Sequence, residues 1–332
     1  MSVLWITDER FLDHDTGRSH PERPARLSAV IDGVQQAGLA DALVPTEPRL
    51  ATDAELLAVH DPAVLDSVRR VAQDGGGRLD PDTVLSAESE TAARLAAGAG
   101  LAAIECLDGG EADAAFCAVR PPGHHATPAR SMGFCMFNSA AVCAQALADR
   151  GERVLVVDYD AHHGNGTQDV FWEDNRVMFV SWHQYPLYPG TGGLLERGEG
   201  AGAGTTINLP MPAGATGDAY RQGWDDAVLP AVEEFDPGWL VLSAGFDAHR
   251  ADPLTSLGLA AGDFADLTSA IIDVVPPGRR VAFLEGGYDL DALADCAGAA
   301  VAVLAGVTWR PEAATGGGPG AEVAAAAAAL LP

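Results

Sequence analysis

A mostly parallel β-sheet covered by helices on both faces is the fold class this sequence predicts. Three observations carry that reading. At least six short apolar runs alternate with longer segments of helical period. The polar motifs cluster directly after those runs, where an open parallel sheet binds its ligands. No shift in composition divides the 332 residues into two domains. One α/β domain over 1–310 is expected, with a Gly/Ala-rich tail over 311–332.

Taken in order, Val3 to Thr7 form the first strand and Asp8 to His20 a polar loop. Pro24, suited to a first helical turn, opens a segment that brings Leu27, Val30, Ile31 and Val34 to one side. Arg26 lies in its first turns, and periodicity does not say whether it faces solvent or a cleft. Residues 53–59 and 62–72 read as helices, the Gly-rich stretch to Thr83 as loop, and the Ala-rich 91–107 as a long helix. Ala114 to Val119 is a second buried strand. Prolines and glycines then hold RPPGHHATPARSMGFCMFN, from Arg120 to Asn138, as a loop, and 137–148 returns to helix.

Val154 to Val157, apolar on both faces, suits a buried parallel strand that ends at Asp158. A helical turn over 168–172 and a strand over 176–181 follow. The aromatic and glycine-rich loop 181–193 suits the lip of a pocket. A short strand is expected over 205–209 and one helix over 218–235, despite Gly223. Strands over 239–243 and 280–284 and helices over 262–274 and 290–304 complete the alternation. The tail alanines beyond Gly317 suit either a packed helix or a frayed end.

Composition narrows the function. Asp and Glu number 47 against 20 Lys and Arg, a formal charge of −27, so nucleic acid is not an expected partner of the general surface. The N-terminus lacks a basic segment leading into an apolar stretch, and no apolar run reaches membrane-spanning length. The five cysteines form no CxxC pair, which suits small buried residues in a reducing, cytoplasmic setting. Neither GxGxxG after the first strand nor GxxxxGK[ST] occurs, so nucleotide binding has no motif. Self-association is left open.

The stretch DYDAHHGNGT, 158 to 167, concentrates the chemistry. Asp160 and His162 are two apart, so on an extended backbone their side chains share a face, with Asp158 in phase. A carboxylate and an imidazole aimed at one point suit Zn²⁺. A strand ending in a plain polar loop is the alternative.

With GHH at 123–125, GFDAH at 245–249 and EGGY at 285–288, together with HPERPAR, MGFC and YPGTGG, this sequence resembles the zinc-dependent histone deacetylase family. The likeness runs in order to about residue 305. It implies the arginase/deacetylase-like three-layer fold, one domain with an eight-stranded, mostly parallel sheet. By the same likeness Asp160, His162 and Asp247 are the ligands of one Zn²⁺ per chain. His124 and His125 are the tandem catalytic histidines, paired with Asp158 and Asn165 respectively, and His125 is the principal base and acid. Tyr288 is the oxyanion-stabilising phenol. Gly133, Phe134, Tyr188 and Leu254 line a channel for an alkyl stem, although Tyr188 stands where Phe is usual. Leu254 stands where relatives selective for acetylpolyamines can carry Glu. A structural K⁺ is implied at Asp158, Asp160, His162, Ser181 and Trp182, and Arg26 is implied beside an internal acetate-exit cavity. Asn rather than Asp at 165 resembles the class II side, including bacterial histone deacetylase-like amidohydrolases.

The expected activity is removal of acetyl or related acyl groups from lysine side chains or similar alkylamines. The alternatives are an acetylpolyamine or small-acylamide deacetylase, a two-manganese ureohydrolase on the same fold, and a non-catalytic acyl-lysine binding module.

Overall fold

A computed structural model describes residues 1–331. Its main sheet has eight strands: β1 (Val3–Ile6), β2 (Leu43–Thr46), β5 (Ala114–Cys117), β6 (Val154–Asp158), β7 (Val177–Gln184), β8 (Thr206–Met211), β9 (Trp239–Ala244) and β10 (Arg280–Leu284). A separate antiparallel hairpin pairs β3 (Gly76–Arg78) with β4 (Val84–Ser86). The spatial order of the main sheet is β2-β1-β5-β10-β9-β6-β7-β8, and every neighbouring pair is parallel. Strands β5, β6, β9 and β10 are buried along their whole length. Continuous apolar runs rather than alternation therefore mark them in the sequence.

That order explains the motif placement. The four innermost strands run β5, β10, β9, β6. The segments that follow them carry GHH, EGGY, GFDAH and DYDAHH. Residues as far apart as 123 and 288 thus meet at one end of four adjacent strands.

Helices α1 (Ala25–Gln36), α9 (Ala261–Ile272) and α10 (Leu290–Leu304) pack together, and α4 (Ser89–Asp108) packs on α5 (Ser139–Ala148). Small side chains set these contacts, as the alanine and glycine content predicts. A Cβ at Gly33 would lie 1.9 Å from the Ala294 carbonyl oxygen, so only glycine lets α1 approach α10 this closely.

Three local expectations are corrected. The edge strand β2 was not anticipated, because its four residues are incompletely buried and include Pro45, which an edge tolerates. The expected helix over 218–235 is interrupted by a π-turn at Trp224–Val228. There the Leu229 N–H reaches the Trp224 carbonyl five residues back, directly before Pro230, which has no N–H to give. The turn expected over 168–172 starts earlier, as a helix over Asn165–Phe171. In the tail, Ala321–Ala328 is helical and packs against β8 with Ala324 and Ala327 buried.

Candidate active site

The Asp160–His162 pair does not use strand alternation, because β6 ends at Asp158 and the chain bends through 160–162. Hydrogen bonds hold the bend instead. The His162 N–H donates to Asp160 Oδ1 at 2.9 Å, and the Gly286 N–H to Asp160 Oδ2 at 2.7 Å. Asp247 Oδ1 accepts the Ala161 N–H at 2.7 Å. His162 Nδ1 then lies 2.9 Å from Asp247 Oδ2 and 3.3 Å from Asp160 Oδ1. Ligand atoms of all three residues fall within 4.8 Å of one another. Tetrahedral N and O ligands about 2.0–2.2 Å from a small dication are themselves roughly 3.3 to 3.6 Å apart; the Asp160 contact has that spacing, and the Asp247 contact is at hydrogen-bond length. Two buried carboxylates facing one imidazole also leave a surplus of negative charge that a cation would neutralise. Without one, the carboxylates push His162 up to about 10 against burial, and burial pushes Asp247 up to about 7.

Glycine is required around this cluster. A Cβ at Gly245 would sit 1.9 Å from Asp160 Oδ2, and one at Gly286 would sit 2.5 Å from both Asp160 Oδ2 and Asp247 Oδ2. Asp158, which shares their sequence phase, turns elsewhere: it accepts from His124 Nδ1 at 2.9 Å.

The tandem histidines stand side by side, ring centroids 4.0 Å apart, with different partners. His125 Nδ1 donates to Asn165 Oδ1 at 2.8 Å, leaving Nε2 as the free acceptor. Burial and the neighbouring His124 and His162 rings hold His125 well below the usual imidazole range. Around His124, burial is outweighed by Asp160, Asp158 and Glu285, which hold it well above that range. Two adjacent imidazoles are thus driven apart in proton affinity, as an acid–base pair requires. Their backbone is fixed by Glu285 Oε2, which accepts from the Gly123 N–H at 2.7 Å and the His124 N–H at 3.2 Å.

Arg26 is fully buried and turns to the backbone of the Tyr288 loop rather than to solvent, without lining the cavity. It donates through Nε to the Gly287 carbonyl at 2.6 Å and through a terminal nitrogen to the Glu285 carbonyl. Its guanidinium carbon lies 5.0 Å from the Tyr288 ring centroid. Glu22, gripped by Arg120 and Arg26, offsets one of these two buried positive charges. Burial pushes the Tyr288 phenol well above its ordinary pKa, Arg26 opposing, so it stays a hydrogen-bond donor.

These groups surround a cavity of about 230 Å³ lined by Asp82, His125, Gly133, Phe134, His162, Leu187, Tyr188, Leu254 and Tyr288. All four expected channel residues are among them. Phe134 has φ +69°, a strained value for an aromatic residue, and follows Gly133 at +57°. At Gly133 a Cβ would lie 2.5 Å from the His125 ring, so the wall presses on the histidine. Tyr188 meets the same ring edge-on at 5.2 Å.

The cation-site residues are less concentrated. Ser181 is the register partner of Asp158, and its hydroxyl is 3.0 Å from His183 Nδ1. The Trp182 indole instead stacks in the core with Tyr220 and Trp224, so only its backbone remains to offer. Asp82, Leu187, Glu22, Arg120 and Glu285 were not anticipated. Asp82 sits in the Gly-rich loop that ends at Thr83 and Leu187 in the loop 181–193, but no motif marks either. His163, beside the candidate ligand His162, bonds to Thr191 at 2.8 Å and Gln168 at 3.1 Å.

The sequence pattern of the family described as "Histone deacetylase domain" matches residues 20–304. A "Probable deacetylase" of Archaeoglobus fulgidus is 38% identical over 292 residues, covering 86% of this chain and 81% of that one. The "Histone deacetylase-like amidohydrolase" of Pseudomonas aeruginosa is 38% identical over 293 residues, with 86% and 76% covered. Among solved structures, the crystal structure of the HDA15 HD domain superposes with a TM-score of 0.91 at 35% identity, covering 98% of this chain and 93% of that one.

Proposed function

The chain belongs to the histone deacetylase family, and from that premise we propose that it is a zinc-dependent hydrolase removing acyl groups from lysine-like alkylamines. The observation that carries the proposal is the convergence of Asp160, His162 and Asp247 beside a narrow cavity that also holds His125 and Tyr288.

Held by those three residues, a zinc ion would supply Lewis acidity toward an amide carbonyl and a lowered pKa for water. The protein groups divide the rest. His125, kept neutral by burial and oriented by Asn165, accepts a proton from the attacking water at Nε2. It returns that proton to the amine nitrogen as the C–N bond breaks. His124, kept protonated by the surrounding carboxylates, stabilises developing negative charge and backs up proton return. The Tyr288 hydroxyl donates to the carbonyl oxygen as charge gathers there. Phe134 and Tyr188 enclose the alkyl stem and exclude water. A monovalent cation at Asp158, Asp160, His162 and Ser181, such as K⁺, would brace the bend that carries the ligands.

Two manganese ions fit less well. Beside His162, His163 is bound to Thr191 and Gln168 and not to a carboxylate. The substrate is proposed only as a class: protein acetyl-lysine, an acetylated polyamine or a small acylamide. Leu254 at the mouth offers no second-amine carboxylate, although Asp82 lines the same cavity.

The test is turnover of a fluorogenic acetyl-lysine amide by metal-depleted protein reloaded with zinc, with a hydroxamate as control. Recovery at close to one zinc per chain is expected. Activity requiring two manganese ions overturns the zinc reading. No turnover of acetyl-, trifluoroacetyl- or longer acyl-lysine leaves a binding module.

A further inference from the structure

Two channel residues from different loops hang from one carboxylate. Asp252, 7% exposed, accepts the Leu254 N–H through Oδ1 at 2.9 Å and the Tyr288 N–H through Oδ2 at 2.7 Å. Leu254 and Tyr288 both line the cavity. No salt bridge engages Asp252 among the described residues; backbone groups hold it, the N–H of Leu254 and Tyr288 with that of Asp289 beside them. Its own segment is rigid and begins at a ligand. The Thr255 hydroxyl donates to the Asp247 carbonyl at 2.6 Å, and the Asp252 N–H donates to the His249 carbonyl at 2.9 Å.

We propose that Asp252 is the positioning residue for Tyr288, fixing the phenol relative to the segment that carries the metal ligand Asp247. The geometry gives the reason. Gly286 is tied to Asp160, and Arg26 holds the carbonyls of 285 and 287. Those contacts reach the carbonyl of the peptide that joins Gly287, at φ +116°, to Tyr288. The Tyr288 N–H is the other polar group of that same peptide, and Asp252 is its acceptor. Tying it to the 247–255 segment makes the hydroxyl and the ligand Asp247 move as one body. The same carboxylate sets Leu254, so the width of the channel and the position of the phenol share one support.

The inference rests on the proposed deacetylase reading, and the test separates the two. Asp252→Asn keeps the size but can accept only one of the two N–H groups, presenting its own NH₂ to the other. Loss of one buried, charge-assisted bond predicts a fall in kcat of roughly 10- to 100-fold, with zinc still at one per chain. In a Tyr288→Phe background the same change should cost less than about threefold, because a support without its hydroxyl has little left to position. A full additional loss in the double variant, or unchanged kcat in the single variant, overturns the proposal. Asp252→Glu, which keeps both acceptors on a longer arm, serves if the amide variant does not fold. It should lower kcat in the same background-dependent way. If wild type turns over and Tyr288→Phe turns over more slowly, additivity removes Asp252 alone. If wild type itself is inert, the deacetylase reading fails first.

Discussion

Asp160 and Asp247, at the floor of the cavity, are fully buried, and each carboxylate is met by nitrogens from two directions. Tyr188 and Leu254, at its mouth, are each 38% exposed. The same few ångströms of channel therefore contain two regimes. At the floor a removed group leaves others buried and unpaired, and the cost is large. At the mouth solvent screens whatever is added or lost. The floor should tolerate almost nothing, while the mouth should tune the substrate without touching the chemistry.

The largest effect should come from the floor itself. Asp247→Ala removes one of the three proposed ligands, and we expect zinc content to fall below stoichiometric and turnover to disappear. Zinc retained with normal rate would dissociate the cluster from the activity. The intact site has its own pH signature. Without metal, His162 sits up at about 10 and Asp247 at about 7. A zinc ion held there would displace those protons, so its affinity should rise with pH up to about 10, most steeply below about 7 where both groups carry one. Calorimetry in buffers of different ionisation enthalpy should register proton release on binding.

Next in size is Tyr288→Phe. Loss of one donor to the oxyanion predicts a fall in kcat of roughly 100- to 1000-fold, with the metal retained. This variant sharpens the comparison, because it removes a floor function without removing a ligand.

Much of the floor is legible in the chain and little of what supports it. Asp160, His162, His124, His125, Asp247 and Tyr288 are chemistry-bearing types in short motifs after strands, and four adjacent central strands bring them together. Their supports are ordinary residues acting at long range. Glu22 meets Arg120 from 98 positions away, and Asp252 meets Tyr288 from 36. Nothing in ADP announces an acceptor for backbone N–H groups, and nothing in HPER a partner for a distant arginine, because those roles are defined only once the loops have met. The pleat argument for Asp160 and His162 picked a pair that does converge, but for the wrong reason. It also placed Asp158 with them, whereas the chain leaves the strand after Asp158 and sends that carboxylate to His124. Strand β2 was hidden by Pro45, and the π-turn by a helical pattern that continues across it.

Between floor and mouth lies the His125–Asn165 contact, and Asn165→Asp probes it through pH. His125 must be neutral to accept a proton, and burial keeps it so well below the usual range. A carboxylate at 165 would stabilise the protonated ring and raise its pKa by about one to two units. The acid limb of kcat/KM should therefore move to higher pH by that amount, with activity lost on the acidic side and recovered above the new pKa. An unmoved limb would show that another group sets it.

The smallest effect should come from the mouth, and its smallness is the point. Leu254→Glu places a carboxylate where the backbone N–H is already fixed by Asp252, so the new side chain starts from a known position. A substrate bearing a second amine beyond the acylated one should gain, and a neutral acyl-alkylamine should not. At a site this exposed an added ion pair is worth up to about 1 kcal/mol, or roughly a fivefold rise in kcat/KM for the diamine. The preference should fade as salt is raised. It should appear in KM, with kcat for the neutral substrate unchanged, because no floor group has moved. A drop in kcat would mean that Leu254 reaches the chemistry through the carboxylate it shares with Tyr288, and the division between floor and mouth would have to be drawn above Asp252 rather than below it.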